Sequence, residues 1–355
     1  MAAIVRQHFL DPAAREAWAR RHDGYGASVR SRDEFVEATR RALAELQTSH
    51  TAYYTEDDPQ YYGLLSIFRE ALGVESVEYD SIGVDVDPGN FVRVVFAGSP
   101  AGDSGILRGD RILSADGRPF RPLASLRGRA GERVILQIRR DRDEPPREVP
   151  VVPRRIDVAD EWREHQEKGS RIVEANGKKV AYMPLFSAAG EGPEGVLRDA
   201  IGGQFAGADA LVLDFRFGWG GASPSFLNLF NRTPPVLESI RPDGTILRVD
   251  SQWRKPLYVL INGGSTSGKE AVAHAIQRHK IGTLVGERTA GAVAAGRAFR
   301  LSDGSLLYLA VSGVRVDGER LEGVGVPPDA EVADSLPFAA GRDRQLERAL
   351  ELAGT

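Results

Sequence analysis

Three hydroxyl side chains, Ser265, Thr266 and Ser267, stand in the stretch Asn262-Gly263-Gly264-Ser265-Thr266-Ser267-Gly268-Lys269-Glu270. An apolar run, Leu257 to Ile261, precedes it, and Ala271-Val272-Ala273-His274-Ala275-Ile276 follows it. That order reads strand, tight turn, helix. A serine at such a junction lies beside unpaired backbone N–H groups. One turn can therefore hold both a nucleophile and the donors that stabilise an oxyanion, which suits attack on a carbonyl. The same residues also read as a plain helix cap, with Ser265, Thr266 or Ser267 as the N-cap.

Three other segments bear on that choice. Ser49-His50 follows an amphipathic helix, and His50 suits a general base or a helix C-terminal cap. Asp214-Phe215-Arg216-Phe217-Gly218-Trp219-Gly220-Gly221 follows an apolar run. Its glycines could offer N–H groups to an oxyanion or to a phosphate. The chain has neither G-x-G-x-x-G nor Gly-Lys-Ser/Thr there, which disfavours phosphate. Glu322 lies in Leu321-Glu322-Gly323-Val324-Gly325-Val326-Pro327-Pro328-Asp329, as a surface carboxylate or as a third catalytic group. His8, His22, His165, His274 and His279 show no metal-ligand spacing, and His274 reads as structural. There is no cysteine, which excludes a thiol nucleophile, a disulfide and a cysteine zinc site.

The elements that must position these groups come from a chain of 355 residues, 42% hydrophobic and 27% charged. That length suits about two or three domains with real cores. The net charge of −4 gives no reason to expect nucleic acid or a membrane surface. No apolar run is long enough to span a bilayer. Residues 1–75 read mainly as helices, with Phe35, Ala38, Ala42, Leu43 and Leu46 on one stripe. Residues 76–153 read as short strands and turns, and residues 145–160, with Pro145, Pro146 and Pro153, as a linker. From Ser170 onward strands alternate with helices, which argues a layered α/β core.

The segment 76–153 resembles a bacterial PDZ domain. The resemblance rests on Ile82-Gly83-Val84, Ser99-Pro100-Ala101, Gly105-Ile106, and Gly109-Asp110-Arg111-Ile112-Leu113 running to Asp116-Gly117. It implies a site for an extended peptide, with a tail carboxylate held near Ile82, Gly83 and Val84. The four chemical segments, in this order and with a PDZ domain in this slot, resemble the C-terminal processing (tail-specific) protease family. Two catalytic designs occur there. A Ser–Lys dyad would place its lysine at Ala292, and no lysine follows Lys280. Lys269, two residues from Ser267, is a poor base on helical geometry. The design of the tricorn core protease is matched at every piece: Ser49 and His50, Ser267, and Glu322. By that resemblance His50 is the general base, Glu322 orients it through Ser49 or a water, and Gly268 with Gly220 or Gly221 forms the oxyanion hole.

The resemblance implies a mixed α/β fold with a ClpP/crotonase-like layered core (154–355), an N-terminal helical cap (1–75) and an inserted PDZ domain (76–153). It implies a serine endopeptidase that takes protein or peptide substrates by their C-terminal tails, without metal or cofactor. The rival is a catalytically silent peptide-binding scaffold or apolar-ligand carrier on the same fold. A periplasmic or secreted location is expected if a signal peptide has been removed, and a cytoplasmic one otherwise. The sequence leaves the oligomeric state open.

Overall fold

A computed structural model describes residues 1–250 and 252–355. Its central sheet has six strands among the described residues, in the order Arg171–Ala175, Lys178–Pro184, Ala210–Asp214, Leu257–Ile261, Thr283–Gly286, Ala330–Glu331. The first pair is antiparallel and the others are parallel. Parallel strands are covered on both faces, which is why Ala210-Leu211-Val212-Leu213 is apolar without interruption and wholly buried. Residue alternation still sorts the two faces. Ala181, Met183, Leu211, Leu213, Val259 and Ile261 pack under the helices Gly192–Gly202 and Gly268–Arg278. Val180, Tyr182, Val212 and Leu260 face Ala349 and Ala353 of the C-terminal helix Arg344–Ala353.

The N-terminal helices Ala2–His8, Pro12–Arg21 and Arg32–Ala44 share a second core with Leu307, Leu309 and Ala310. Their sheet partner is a three-stranded sheet of Ala52–Tyr54, Leu306–Ser312 and Ala295–Arg300. Through it the turn after Arg32–Ala44, which carries Ser49 and His50, is brought beside residues 292–295.

A third core, from Ile82 to Val151, fills the segment of short strands. Its four-stranded sheet ends on Arg147–Val151. The linker expected over 145–160 is therefore corrected. Arg147–Val151 buries Val149 and Val151 on one face, Arg154–Asp157 pairs with Glu78–Ser81, and Val158–Gly169 is helical with Asp157 as its N-cap. The charged and proline-rich composition masked a period-2 strand whose outward positions are polar, and Pro150 stands in an edge strand where no ladder N–H is needed. No helix of the described residues is long and apolar enough to cross a membrane.

Candidate active site

The strand Leu257–Ile261 ends in a turn built by Asn262. Its backbone N–H donates to Ser265 Oγ at 3.1 Å, and its Oδ1 accepts from Gly264 N at 2.9 Å. Ser265 Oγ donates to the Phe215 carbonyl at 3.0 Å and is fully buried, so this hydroxyl is committed to the turn. Ser267 is the N-cap of Gly268–Arg278 and borders an open cleft. Its φ of 58° and ψ of −126° are a strained choice for serine, of the kind that costs about 1–3 kcal/mol and persists where the surroundings impose it. Those surroundings are identifiable. Ser267 N donates to the Ala292 carbonyl at 2.8 Å and to Glu270 Oε2 at 3.1 Å.

Glu270 is fully buried and acts as a strut. It accepts from Thr289 Oγ1 at 2.6 Å, Gly291 N at 2.7 Å and Ala292 N at 2.8 Å, so one carboxylate joins the serine turn to residues 289–292. Burial raises its pKa against the pull of these donors. Sequence reasoning missed this residue, although Ser267-x-x-Glu270 carries the spacing of a capping box.

His50 sits in the same cleft, 5.2 Å from the Tyr308 ring between centroids. Its Nδ1 lies 2.8 Å from Ser49 Oγ. Ser49 Oγ donates to Glu322 Oε2 at 3.0 Å, and Ser49 N donates to Oε1 at 3.1 Å. Glu322 Oε2 also accepts from Val293 N at 2.6 Å and Ala294 N at 2.8 Å. A carboxylate can only accept, so the single hydroxyl proton of Ser49 points to Glu322 and its lone pair faces His50. Nδ1 therefore carries the imidazole proton, and Nε2 is left as an acceptor. Burial holds the His50 pKa below 6.5, with the Glu322 charge pulling the other way. Burial works to raise the Glu322 pKa, but the N–H groups of Val293, Ala294 and Ser49 and the Ser49 hydroxyl leave it below the usual carboxylate value. Among the described residues no hydrogen bond joins Ser267 Oγ to His50. Such bonds commonly tighten only with substrate in place.

The third part is the turn after Ala210–Asp214. A Cβ added to Gly220 would lie 2.6 Å from Ser267 Cβ and 3.1 Å from Gly268 N. Only a glycine lets this backbone touch the serine turn. Gly221 has a φ of 85° and packs on Ala189. The N–H groups of Gly220, Gly221 and Gly268 find no acceptor among the described residues. Just upstream, the buried Arg216 donates to Asp214 Oδ2 at 2.6 Å and to Asp343 Oδ2 at 2.7 Å, tying the strand end to the cap of the C-terminal helix. No local pattern around Arg216 pointed to this partner 127 residues away.

The cleft measures ≈ 790 Å³ and is walled by Tyr62, Phe68, Trp162, Phe186, Trp219 and Tyr308. Val84, Asp85 and Arg93 of the small β unit border it too, with the Arg93 guanidinium 5.3 Å from the Phe217 ring centroid. Of the expected peptide-binding residues, Ile82 is buried and Val84 begins the strand Val84–Val86. Gly83 N already donates to Ser81 Oγ at 2.9 Å, so a tail carboxylate would compete with that hydroxyl. Ala292, where a dyad lysine would stand, borders the cleft, and Lys280 lies outside it.

Residues 179–332 match the peptidase family S41, and residues 91–140 match the PDZ domain. The chain is 25% identical over 374 residues to a carboxyl-terminal-processing protease of Synechocystis sp., covering 98% of this chain and 84% of that one. It is 27% identical over 378 residues to the putative tricorn protease homolog 2 of Streptomyces coelicolor, covering 99% of this chain and 31% of that one. Among solved structures, the photosystem II D1 C-terminal processing protease superposes with a TM-score of 0.55 at 20% identity, over 100% of this chain and 95% of that one. The tricorn protease superposes with a TM-score of 0.58 at 18% identity, over 99% of this chain and 36% of that one. The core, with its helices on both sheet faces, is the fold of these proteases. The chain is a serine-type peptidase whose residues 179–332 match the peptidase family S41 and whose residues 91–140 match the PDZ domain.

Proposed function

We propose that this peptidase is an endopeptidase that selects proteins or peptides by their C-terminal tails, with Ser267 as nucleophile and His50 as general base. Residues 1–75 supply the base, residues 76–153 bind the tail, and residues 154–355 carry the nucleophile and the oxyanion hole. The observation that carries this reading is the hydrogen-bonded run from Glu322 through Ser49 to His50 Nδ1. A binding module has no use for a half-buried imidazole whose free nitrogen is left as an acceptor.

In the first half-reaction Ser267 Oγ attacks the scissile carbonyl carbon while its proton passes to His50 Nε2. The carbonyl oxygen becomes an oxyanion and is held by Gly268 N–H with Gly220 or Gly221 N–H. The C–N bond then breaks, and Nε2 returns the proton to the leaving amine. In the second half-reaction a water attacks the acyl ester, its proton goes to Nε2, and Ser267 leaves with that proton. Glu322 keeps Ser49 aimed at Nδ1 throughout and balances the imidazolium charge. Ala292 offers no base, and the base suited to this geometry is His50.

A digest of an unstructured peptide library by wild type, Ser267→Ala and His50→Ala tests the reading. The same cleavages should vanish in both variants. Retained cleavage in His50→Ala, with loss in Lys269→Ala, would return the assignment to a Ser–Lys pair.

A further inference from the structure

Lys269 follows Ser267 by two residues, is 0% exposed, and does not border the cleft. Its Nζ donates to the Phe217 carbonyl at 2.9 Å and to the Phe186 carbonyl at 3.1 Å. No carboxylate forms an ion pair with it among the described residues. Burying an amine without such a partner is costly, and an apolar side chain of the same length fills space more cheaply. Burial drives its pKa down to about 7, with Asp214 pulling back. An amine at that pKa has a neutral form with two N–H donors, which matches the two carbonyls present.

The Phe217 carbonyl belongs to the turn that carries Gly220 and Gly221, and the Phe186 carbonyl, just past the strand Lys178–Pro184, lies against it. Phe217 and Gly218 are successive left-handed residues, with φ of 56° and 65°. A Cβ on Gly218 would lie 2.0 Å from the Phe186 carbonyl oxygen, which also accepts from Trp219 N at 2.7 Å. Among the described residues Phe217 N makes a long bond, 3.4 Å, to Asn262 Oδ1, and further along the turn Ala188 N donates to the Trp219 and Gly220 carbonyls at 3.3 and 3.1 Å. Lys269 is rooted in the helix of Ser267 and Gly268 and grips the opposite turn.

We infer that Lys269 is a positioning residue for the oxyanion hole: through the Phe217 and Phe186 carbonyls it sets the turn of Gly220 and Gly221 against the Gly268 N–H. The inference rests on Ser267 and these glycines acting as proposed above. Lys269 is not a base in this arrangement, because its donors face carbonyls and none reaches Ser267.

The test is the rate at which a peptidyl phosphonate reacts with Ser267, since that reaction builds negative oxygen in the hole. Lys269→Met should fold and react about tenfold or more slowly, the scale of a weakened oxyanion donor. Its affinity for a peptide taken from the wild-type digest, measured with Ser267→Ala added, should be unchanged. Because the chain has no cysteine, Lys269→Cys treated unfolded with bromoethylamine and refolded restores an amine of lysine length, and the rate should return. Wild type carried through the same unfolding is the control. Where Lys269→Met does not fold, Lys269→Gln, with two donors on a shorter arm, gives the reading: it should be slowed with its peptide affinity kept. A wild-type rate in either variant, or a rate and an affinity that fall together, overturns the inference. Failure of wild type to react at Ser267 overturns instead the assignment of the nucleophile.

Discussion

Gly220 lies against Ser267 so closely that a Cβ on it would stand 2.6 Å from the Ser267 Cβ and 2.6 Å from the Thr266 carbonyl oxygen. The two residues are far apart in sequence, and the missing side chain is what lets two strand ends meet. The first prediction follows from that contact. Gly220→Ala should push the turn off the serine helix and lower kcat by about 10²–10³-fold, the usual effect of losing an oxyanion donor. KM on short peptides should change little. Steady-state kinetics beside an unfolding curve checks this, and a folded variant with wild-type kcat would remove Gly220 from the hole.

Ser265 and Ser267 should separate cleanly. Ser265→Ala leaves the Asn262 N–H and the Phe215 carbonyl without their buried partner, so it should cost about 1–3 kcal/mol of stability. Its kcat should stay near wild type. Ser267→Ala should do the reverse. Denaturant unfolding of both variants, paired with activity, decides; a dead but stable Ser265→Ala would mean that the wrong hydroxyl has been named.

The pH dependence has a definite sign. In the proposed mechanism neutral His50 is the base, and burial places its pKa below 6.5. Activity is therefore held above that pKa and lost as pH falls through it. The Glu322 charge raises the His50 pKa. Glu322→Gln should move the acid limb to lower pH while the plateau falls by about 10²-fold, because the imidazole loses its orientation. An acid limb that moves upward would contradict the relay.

Tail selection predicts a difference between free-acid and amidated peptides. On the full chain carrying Ser267→Ala, calorimetry should show the free acid binding roughly tenfold tighter, as a charge-assisted hydrogen bond replaces the neutral one from Gly83 N to Ser81 Oγ. Equal affinities would reduce the PDZ domain to a wall of the cleft.

Much of this arrangement is legible in the sequence, and the illegible parts have physical reasons. Strand, turn and helix around Ser267 are local patterns, and so are the glycines after Asp214. The bond between Ser49 and Glu322 spans 273 residues, so no periodicity links them and only the order of motifs hinted at it. Lys269 and Glu270 sit in the quoted motif, yet polar residues in a first helical turn ordinarily face solvent. Their burial depends on the turns at 217–221 and 289–292 folding over the helix. The strand Arg147–Val151 was hidden because its exposed face is charged and its partner, Val134–Arg139, lies across a loop.

The central claim, that Ser267 is activated by His50, meets its most direct test in one labelling experiment. A peptidyl phosphonate is incubated with wild type and with His50→Ala, and the adduct is located by mass spectrometry. The account predicts a single adduct on Ser267 in wild type and a rate lower by about 10²–10⁴-fold in the variant, the contribution of a general base. An adduct on another residue, or labelling of His50→Ala at the wild-type rate, would contradict it.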